Sequence, residues 1–451
     1  MLRKEWLMMF LVSLLTLLAA VWLVRWLAPG LLGMPVDMRL VSSSDEAPSF
    51  YDNIFRTMEP DGGEFLLRDP GVVNRARPLF PDVNVMGPND VLGFRNRDVP
   101  NVADIVAIGD SQTYGNNAPL EQNWPSHLQQ ILGKDRPLRV YNISVGAWSA
   151  IHYLEIMKFA LRLRPRIVIV GMYTGNDPLL DFSSAYGSDR WARFRPDPSL
   201  EASDAPRIAY PPPDDELWFA SLADGSRIGF TPAYRYVPNN RTEPAVRAGY
   251  RIMARVASEM RDLATSAGAL PVFTIIPTKE LVYSERLAAE GVGFDPVYRE
   301  LVRDEMSNIE ELAADLASLD GARYADLVAP LKAAALSDAD IYPRGANGHP
   351  AAAGYRQIAL ALAEQIAPHL PPPLRGLYGV QNRDGSAVSV YLVTDKGKWI
   401  VPDPSIAYAN GWGSGNDIQM ATVVERDMTA IPTLGVLNAV DPERFGPGAF
   451  K

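Results

Sequence analysis

Asp104-Ile105-Val106-Ala107-Ile108-Gly109-Asp110-Ser111-Gln112-Thr113-Tyr114-Gly115 reads as a strand, a sharp turn and the start of a helix. Its apolar run has the composition of a buried parallel strand, and it stops abruptly at Gly-Asp-Ser. A serine placed there sits where the carboxyl end of a strand passes into a helix, the position at which open α/β sheets bind ligands. An oxyanion formed beside it would meet backbone N–H donors and the positive end of a helix dipole. The stretch therefore predicts a serine nucleophile for acyl transfer, although Gly-Asp-Ser alone is also ordinary strand-to-helix turn chemistry.

Three later segments extend this reading. Tyr141-Asn142-Ile143-Ser144-Val145-Gly146-Ala147-Trp148 is a second strand ending at a glycine, which allows close approach of the backbone to a ligand. Arg166-Ile167-Val168-Ile169-Val170-Gly171-Met172-Tyr173-Thr174-Gly175-Asn176-Asp177 is a third strand, ending in an amide side chain. Tyr342-Pro343-Arg344-Gly345-Ala346-Asn347-Gly348-His349-Pro350 places a histidine in a loop before an amphipathic helix. Ser111, Gly146, Asn176 and His349 thus follow one another in order, each at the end of an element. The pattern resembles the SGNH (GDSL-type) hydrolase family over about Asn89 to Leu370. Asn89-Asp90-Val91-Leu92-Gly93-Phe94-Arg95-Asn96 is similar to the lead-in of its bacterial branch with a GDS-x-T-x-G block.

The resemblance implies Ser111 as nucleophile and His349 as base. It also implies an oxyanion hole formed by the N–H groups of Ser111 and Gly146 and the Asn176 amide. The chemistry fits these residue types, because a serine hydroxyl is a poor nucleophile until a neutral imidazole takes its proton. Asp110 and Asp177 are expected to support the turns by hydrogen bonding. The family commonly carries an aspartate two or three residues before the histidine, where this chain has Asn347 and Ala346. Asn347 can orient an imidazole but brings no charge. Asp338, Asp340 or a main-chain carbonyl are the alternatives. His127, His152 and His369 read as surface or packing residues.

The expected fold is α/β, a doubly wound parallel sheet flanked by helices. Strands are expected near 104–109, 138–144, 166–172 and 270–276, and helices near 121–132, 149–163, 244–267, 296–319 and 351–367. This hydrolase domain spans 101–370, with a proline- and aromatic-rich insertion at 179–238 that either covers the site or docks a partner. Residues 374–451 read as a small β-rich appendage. Its Trp399, Trp412, Tyr391 and Tyr408 are either core or carbohydrate-stacking residues.

Among 451 residues, the net charge of −10 and the lack of a basic cluster argue against a nucleic-acid partner. The chain has no cysteine, which excludes disulfides and thiolate chemistry. No motif for a metal or other cofactor is present. Trp6 to Val24 is an uncharged apolar run, about 28 Å long as a helix, which suits an uncleaved membrane anchor over 1–28. Arg3 and Lys4 before it favour a cytoplasmic amino terminus. The catalytic part is then held outside the cytoplasmic membrane on a stalk, 29–100. These features point to a membrane-anchored serine esterase acting on O-acyl groups, such as O-acetyl, of a cell-envelope glycan or a similar small ester. An O-acyltransferase with the same site, and a non-catalytic accessory subunit of a membrane complex, are the rival readings.

Overall fold

The computed structural model describes residues 65–450, apart from 70, 83–85, 208–211, 338, 382–387 and 415–416. The Trp6 to Val24 run lies outside the described residues, and no described helix is long and apolar enough to cross a membrane. The chain enters with an antiparallel hairpin of β1 (Leu66–Asp69) and β2 (Val73–Ala76). Phe65, Phe80 and Phe94 bury their rings in the main core, so the described part of the lead-in is packed onto the catalytic layer.

Strands β3 (Ile105–Gly109), β4 (Val140–Ser144) and β5 (Ile167–Tyr173) are buried at every position. That is why they read as continuous apolar runs rather than as an alternation. A small antiparallel hairpin of β6 (Trp218–Ser221) and β7 (Arg227–Phe230) follows. The sheet is completed by β8 (Leu270–Ile276) and β9 (Arg323–Ala325), in the order β4-β3-β5-β8-β9, with every neighbouring pair parallel. The strand order reverses beside β3, and this topological switch point is where a crevice forms at the carboxyl edge.

Ten helices along the catalytic unit are used below. They are α1 (Ser111–Tyr114), α2 (Trp124–Leu132), α3 (Ala150–Ala160), α4 (Asp177–Gly187) and α5 (Pro232–Tyr236). After these come α6 (Pro244–Ser266), α7 (Lys279–Ala289), α8 (Pro296–Ala317), α9 (Val328–Ser337) and α10 (Ala352–Ile366). Val106 and Ile108 face one core with Ile151, Phe182 and Met253, drawn from α3, α4 and α6. Ile105 and Ala107 face the other with Leu128, Ile358 and Leu362, drawn from α2 and α10. Each such buried aliphatic side chain is worth about 1.5–3 kcal/mol relative to exposure.

Several elements were not anticipated, among them the two hairpins β1-β2 and β6-β7, the short helix α5, helices α7 and α9, and strand β9. The buried face of α7 includes Lys279, Glu280 and Ser284, which breaks its apolar period. Helix α9 is alanine-rich, without a contrasting polar face, and β9 is only three residues long. The interruption assigned to 179–238 also begins later than expected. Residues 179–187 continue α4 as a regular layer helix, because Leu179, Phe182 and Ala185 supply a buried stripe.

After residue 373, β10 (Gly376–Gln381), β11 (Val388–Val393) and β12 (Lys398–Val401) form a sheet edged by the short strands Ala421–Thr422 and Thr433–Val436. Trp412 is buried in the core of this unit and donates to Phe445 O at 2.6 Å, and Trp399 packs edge-on against Phe445. The unit docks through Arg426, which donates to Ala103 O at 2.9 Å and Arg164 O at 3.0 Å and pairs with Asp104 at 3.3 Å. Those residues precede β3 and β5. The C-terminal unit therefore sits at the amino-terminal ends of the strands, away from the catalytic edge.

Candidate active site

The turn after β3 is built by its own sequence. Asp110 caps α1, its Oδ1 accepting from Gln112 N–H at 2.9 Å. A Cβ on Gly109 would lie 2.1 Å from Thr113 Oγ1, so only glycine lets the chain turn this tightly. Burial raises the pKa of the Asp110 carboxyl. Helix α1 ends at Gly115, and its exposed carbonyls are capped from a distance by Arg95 of the lead-in. This fully buried guanidinium donates to Gly115 O at 2.6 Å, Ala118 O at 2.8 Å and, through Nε, Gly87 O at 2.7 Å. Replacing Arg95 by Met would strand these carbonyls, and urea unfolding is expected to show a loss of about 3–5 kcal/mol. A loss below about 1 kcal/mol would show that water satisfies them instead.

Gly146 and Asn176 lie on the two neighbouring strands' exits. Gly109 is in register with Ser144 of β4 and with Gly171 of β5, so Ser111, Gly146 and Asn176 are delivered to one edge of the sheet. The Gly146 turn is held by Asn74 of the hairpin, whose Nδ2 donates to Gly146 O at 3.1 Å while its own carbonyl accepts from Trp148 Nε1 at 2.9 Å. Asp177 Oδ2 accepts from Tyr173 N–H at 2.9 Å and from Tyr153 OH at 3.0 Å, which fixes the turn that carries Asn176. Burial, and next the charges of Asp110 and Asp181, raise the Asp177 pKa well above the carboxylate range.

His349 reaches this edge from the loop before α10. Its Nε2 lies 2.7 Å from Ser111 Oγ, whereas Asp110 Oδ2 is 3.5 Å from that oxygen, so the hydroxyl proton is directed to the imidazole. Behind the ring, Asn347 Oδ1 lies 2.9 Å from His349 Nδ1 and accepts from His349 N–H at 3.0 Å. Asn347 Nδ2 donates to Asn117 Oδ1 at 3.0 Å, and Asn117 Nδ2 donates to His349 O at 3.2 Å.

This ring of bonds begins on a backbone donor and ends on a backbone acceptor of the same residue. Both amides are therefore fixed in orientation, Nδ1 must carry the proton, and Nε2 presents its lone pair to Ser111. Asn347 thus occupies the third position of a Ser-His-Asn arrangement. Asp340 is turned away in an ion pair with Arg344 at 2.7 Å, and Asp338 lies outside the described residues.

Desolvation, and next the Arg235 guanidinium, lower the His349 pKa to about 3. The neutral form that can accept a proton is lost only as pH falls through that value. The acid limb of kcat/KM is therefore expected well below the ordinary histidine range near 6.5. A limb at pH 6 to 7 on a soluble ester would contradict this.

The histidine loop is itself gripped by a buried lysine. Lys279 Nζ, at the start of α7, donates to Pro343 O at 2.7 Å, Gly345 O at 2.7 Å and Gly229 O at 2.9 Å. Gly229 N–H in turn donates to Arg344 O at 2.8 Å, tying the β6-β7 hairpin to the same loop. Burial lowers the Lys279 pKa to about 8. Of the aromatic residues of this region, Trp191 and Phe194 lie in one core and Phe230 in the other, whereas Phe219 of β6 is exposed. Arg95, Asn117, Lys279 and Asn74 are absent from the sequence-derived site. Asn117 carried a local signal, since Gly115-Asn116-Asn117 has turn composition and asparagine tolerates the φ of 71° found there, and Arg95 lies in the lead-in stretch Asn89–Asn96. Among the described residues, no group of three or more metal-ligating side chains forms.

The model of the GDSL-like Lipase/Acylhydrolase family matches residues 107–357, more than half of the chain. Solved structures similar to the chain include a putative lipolytic protein of the G-D-S-L family from Desulfitobacterium hafniense, 16% identical, covering 58% of this chain and 97% of that one, with a TM-score of 0.30. Another is a Geobacillus acetyl-xylooligosaccharide esterase, 12% identical, covering 61% and 99%, with a TM-score of 0.32. A third is the esterase EstA from Pseudoalteromonas, 12% identical, covering 59% and 97%, with a TM-score of 0.30. No curated protein matches the chain. On the strength of the sequence match, this chain belongs to the GDSL-like lipase/acylhydrolase family.

Proposed function

We propose that the protein is a serine esterase that removes O-acyl groups, O-acetyl in particular, from a cell-envelope glycan or a similar polar ester, and that Trp6 to Val24 anchors it outside the cytoplasmic membrane. The observation that carries the reading is the 2.7 Å approach of His349 Nε2 to Ser111 Oγ, with Nδ1 held by Asn347. In the acylation step Ser111 Oγ bonds to the ester carbon as its proton passes to His349 Nε2, and the carbonyl electron pair moves onto oxygen. That oxyanion meets the N–H groups of Ser111 and Gly146 and the Asn176 amide, and its collapse expels the alkoxide, which takes the proton back from Nε2. Water repeats the sequence to release the acid. A polar substrate is supported by the amide-rich surroundings, Asn117 and Asn347 among them.

Labelling with a fluorophosphonate probe followed by peptide mapping tests the nucleophile without knowledge of the substrate. Modification is expected on Ser111, and a probe that labels another residue or none contradicts the reading. Release of free acetate from an O-acetylated glycan supports hydrolysis, whereas transfer of the acyl group to a sugar acceptor would replace it with a transferase.

A further inference from the structure

Arg235 lies on the last turn of α5, a short helix outside the four sequence blocks. Its guanidinium bridges two of the site's loops. Nη1 donates to Gly175 O at 3.1 Å, the carbonyl immediately before Asn176. Nη2 lies so close to the other loop that a Cβ added to Gly348, the residue before His349, would be 2.9 Å away. Tyr234 and Tyr173 flank the guanidinium carbon, with ring centroids at 4.7 and 5.4 Å. A planar cation is thereby fixed beside the place where the reaction separates charge.

The groups that face His349 make this position unusual. Asn347 and Asn117 behind the ring are neutral, and Ser111 in front is neutral. Asp110 is buried behind Ser111 with its carboxyl pKa raised by desolvation, and Asp340 of the histidine loop is paired with Arg344. The acylation step creates an imidazolium and an oxyanion together. A carboxylate behind the histidine would stabilise the first of these, whereas a cation beside the loops opposes it and stabilises the second. A positive charge at this spot lowers the barrier only if it acts more strongly on the oxyanion. Its hydrogen bond to Gly175 O ties it to the loop that carries Asn176, the amide assigned to the oxyanion.

Resting on the serine-esterase reading, we propose that Arg235 is an electrostatic positioning residue of this site, a fixed cation that supports the oxyanion and keeps His349 in its neutral, proton-accepting form. It compensates from the oxyanion side for the charge that Asn347 does not supply.

The test compares Arg235→Met and Arg235→Lys with the wild-type full-length protein on p-nitrophenyl acetate across pH. Arg235→Met is expected to lower kcat about 10- to 100-fold with little change in KM, smaller than or comparable to the loss of one oxyanion donor. Its acid limb should move up, since the cation that disfavours the imidazolium is gone, while staying below 6.5 because burial, the larger cause, remains. Arg235→Lys should keep kcat within about fivefold of wild type, because it retains the charge while losing the planar fork. A packing role alone would lower the melting temperature and leave the acid limb where it is.

Should Arg235→Met fold poorly, Arg235→Ala assayed with added guanidinium ion supplies a second measurement, and recovery of activity supports the proposal. The idea is overturned by a folded Arg235→Met with kcat within twofold of wild type, by an unmoved acid limb, or by absent rescue. Failure of the parent reading looks different, since Ser111→Ala would then retain activity whatever Arg235 does.

Discussion

Ser111→Ala is expected to lower kcat on p-nitrophenyl acetate by at least about 10,000-fold while leaving the melting temperature within a few degrees of wild type. Activity should collapse because Ser111 Oγ, 2.7 Å from His349 Nε2, is the hydroxyl that meets the imidazole among the described residues. Stability should persist because the geometry of the turn does not depend on that oxygen. The Asp110 carboxylate caps α1 through Gln112 N–H, and Arg95 holds its far end. Residual turnover at the level of the oxyanion donors alone, about 1,000-fold over water, is compatible with the assignment. Turnover close to wild type in a preparation free of contaminating esterases is not.

The second large effect concerns Asn347 and Asn117, which behave as one unit. Asn347→Ala removes the side-chain acceptor that meets His349 Nδ1 among the described residues, and frees the tautomer. A loss of about 100- to 10,000-fold in kcat is expected, by analogy with the cost of the wrong tautomer in a serine triad. Asn347→Asp looks like a restoration of the usual carboxylate, yet it should lower activity when made alone. The new oxygen would face Asn117 Oδ1, now 3.0 Å from an amide nitrogen. Flipping Asn117 to donate instead would set its oxygen against His349 O, 3.2 Å away. Combining Asn347→Asp with Asn117→Ala removes the clash, so the double variant should exceed either single one, and its acid limb should rise as the carboxylate favours the imidazolium. A double-mutant cycle in kcat measures this coupling. Simple additivity, or an Asn347→Asp variant more active than wild type, would show that the two amides are independent.

The parallel sheet was legible because a strand buried on both faces has no choice but to be apolar throughout, as β3, β4 and β5 are. Ser111, Gly146 and Asn176 were legible because each follows such a strand, and His349 because it sits in the loop just before α10, places where turn chemistry leaves marks in a few adjacent residues. The third member of the catalytic group was less so. Asn347 has no charge to announce it, and its competence comes from Asn117, which is 230 positions away. Arg95, Lys279 and Arg235 share that difficulty. Each is a long cationic side chain whose partners are backbone carbonyls, and a carbonyl is present at every residue, so no local pattern points to the pairing. Helix α7 was hidden for a related reason, since its buried face opens with Lys279 and Glu280.

The lysine under the histidine loop bears on how far this protein can be taken apart. Because Lys279 and Gly229 hold Pro343, Arg344 and Gly345 together, the β6-β7 hairpin is not an exchangeable cassette laid over an independent catalytic core. A minimal hydrolase made by excising it, or a chimera carrying a relative's loop there, would leave a buried ammonium short of an acceptor and His349 on an untethered loop. Insertions are better tolerated at the exposed tip between β6 and β7, where Asp224 and Gly225 meet solvent.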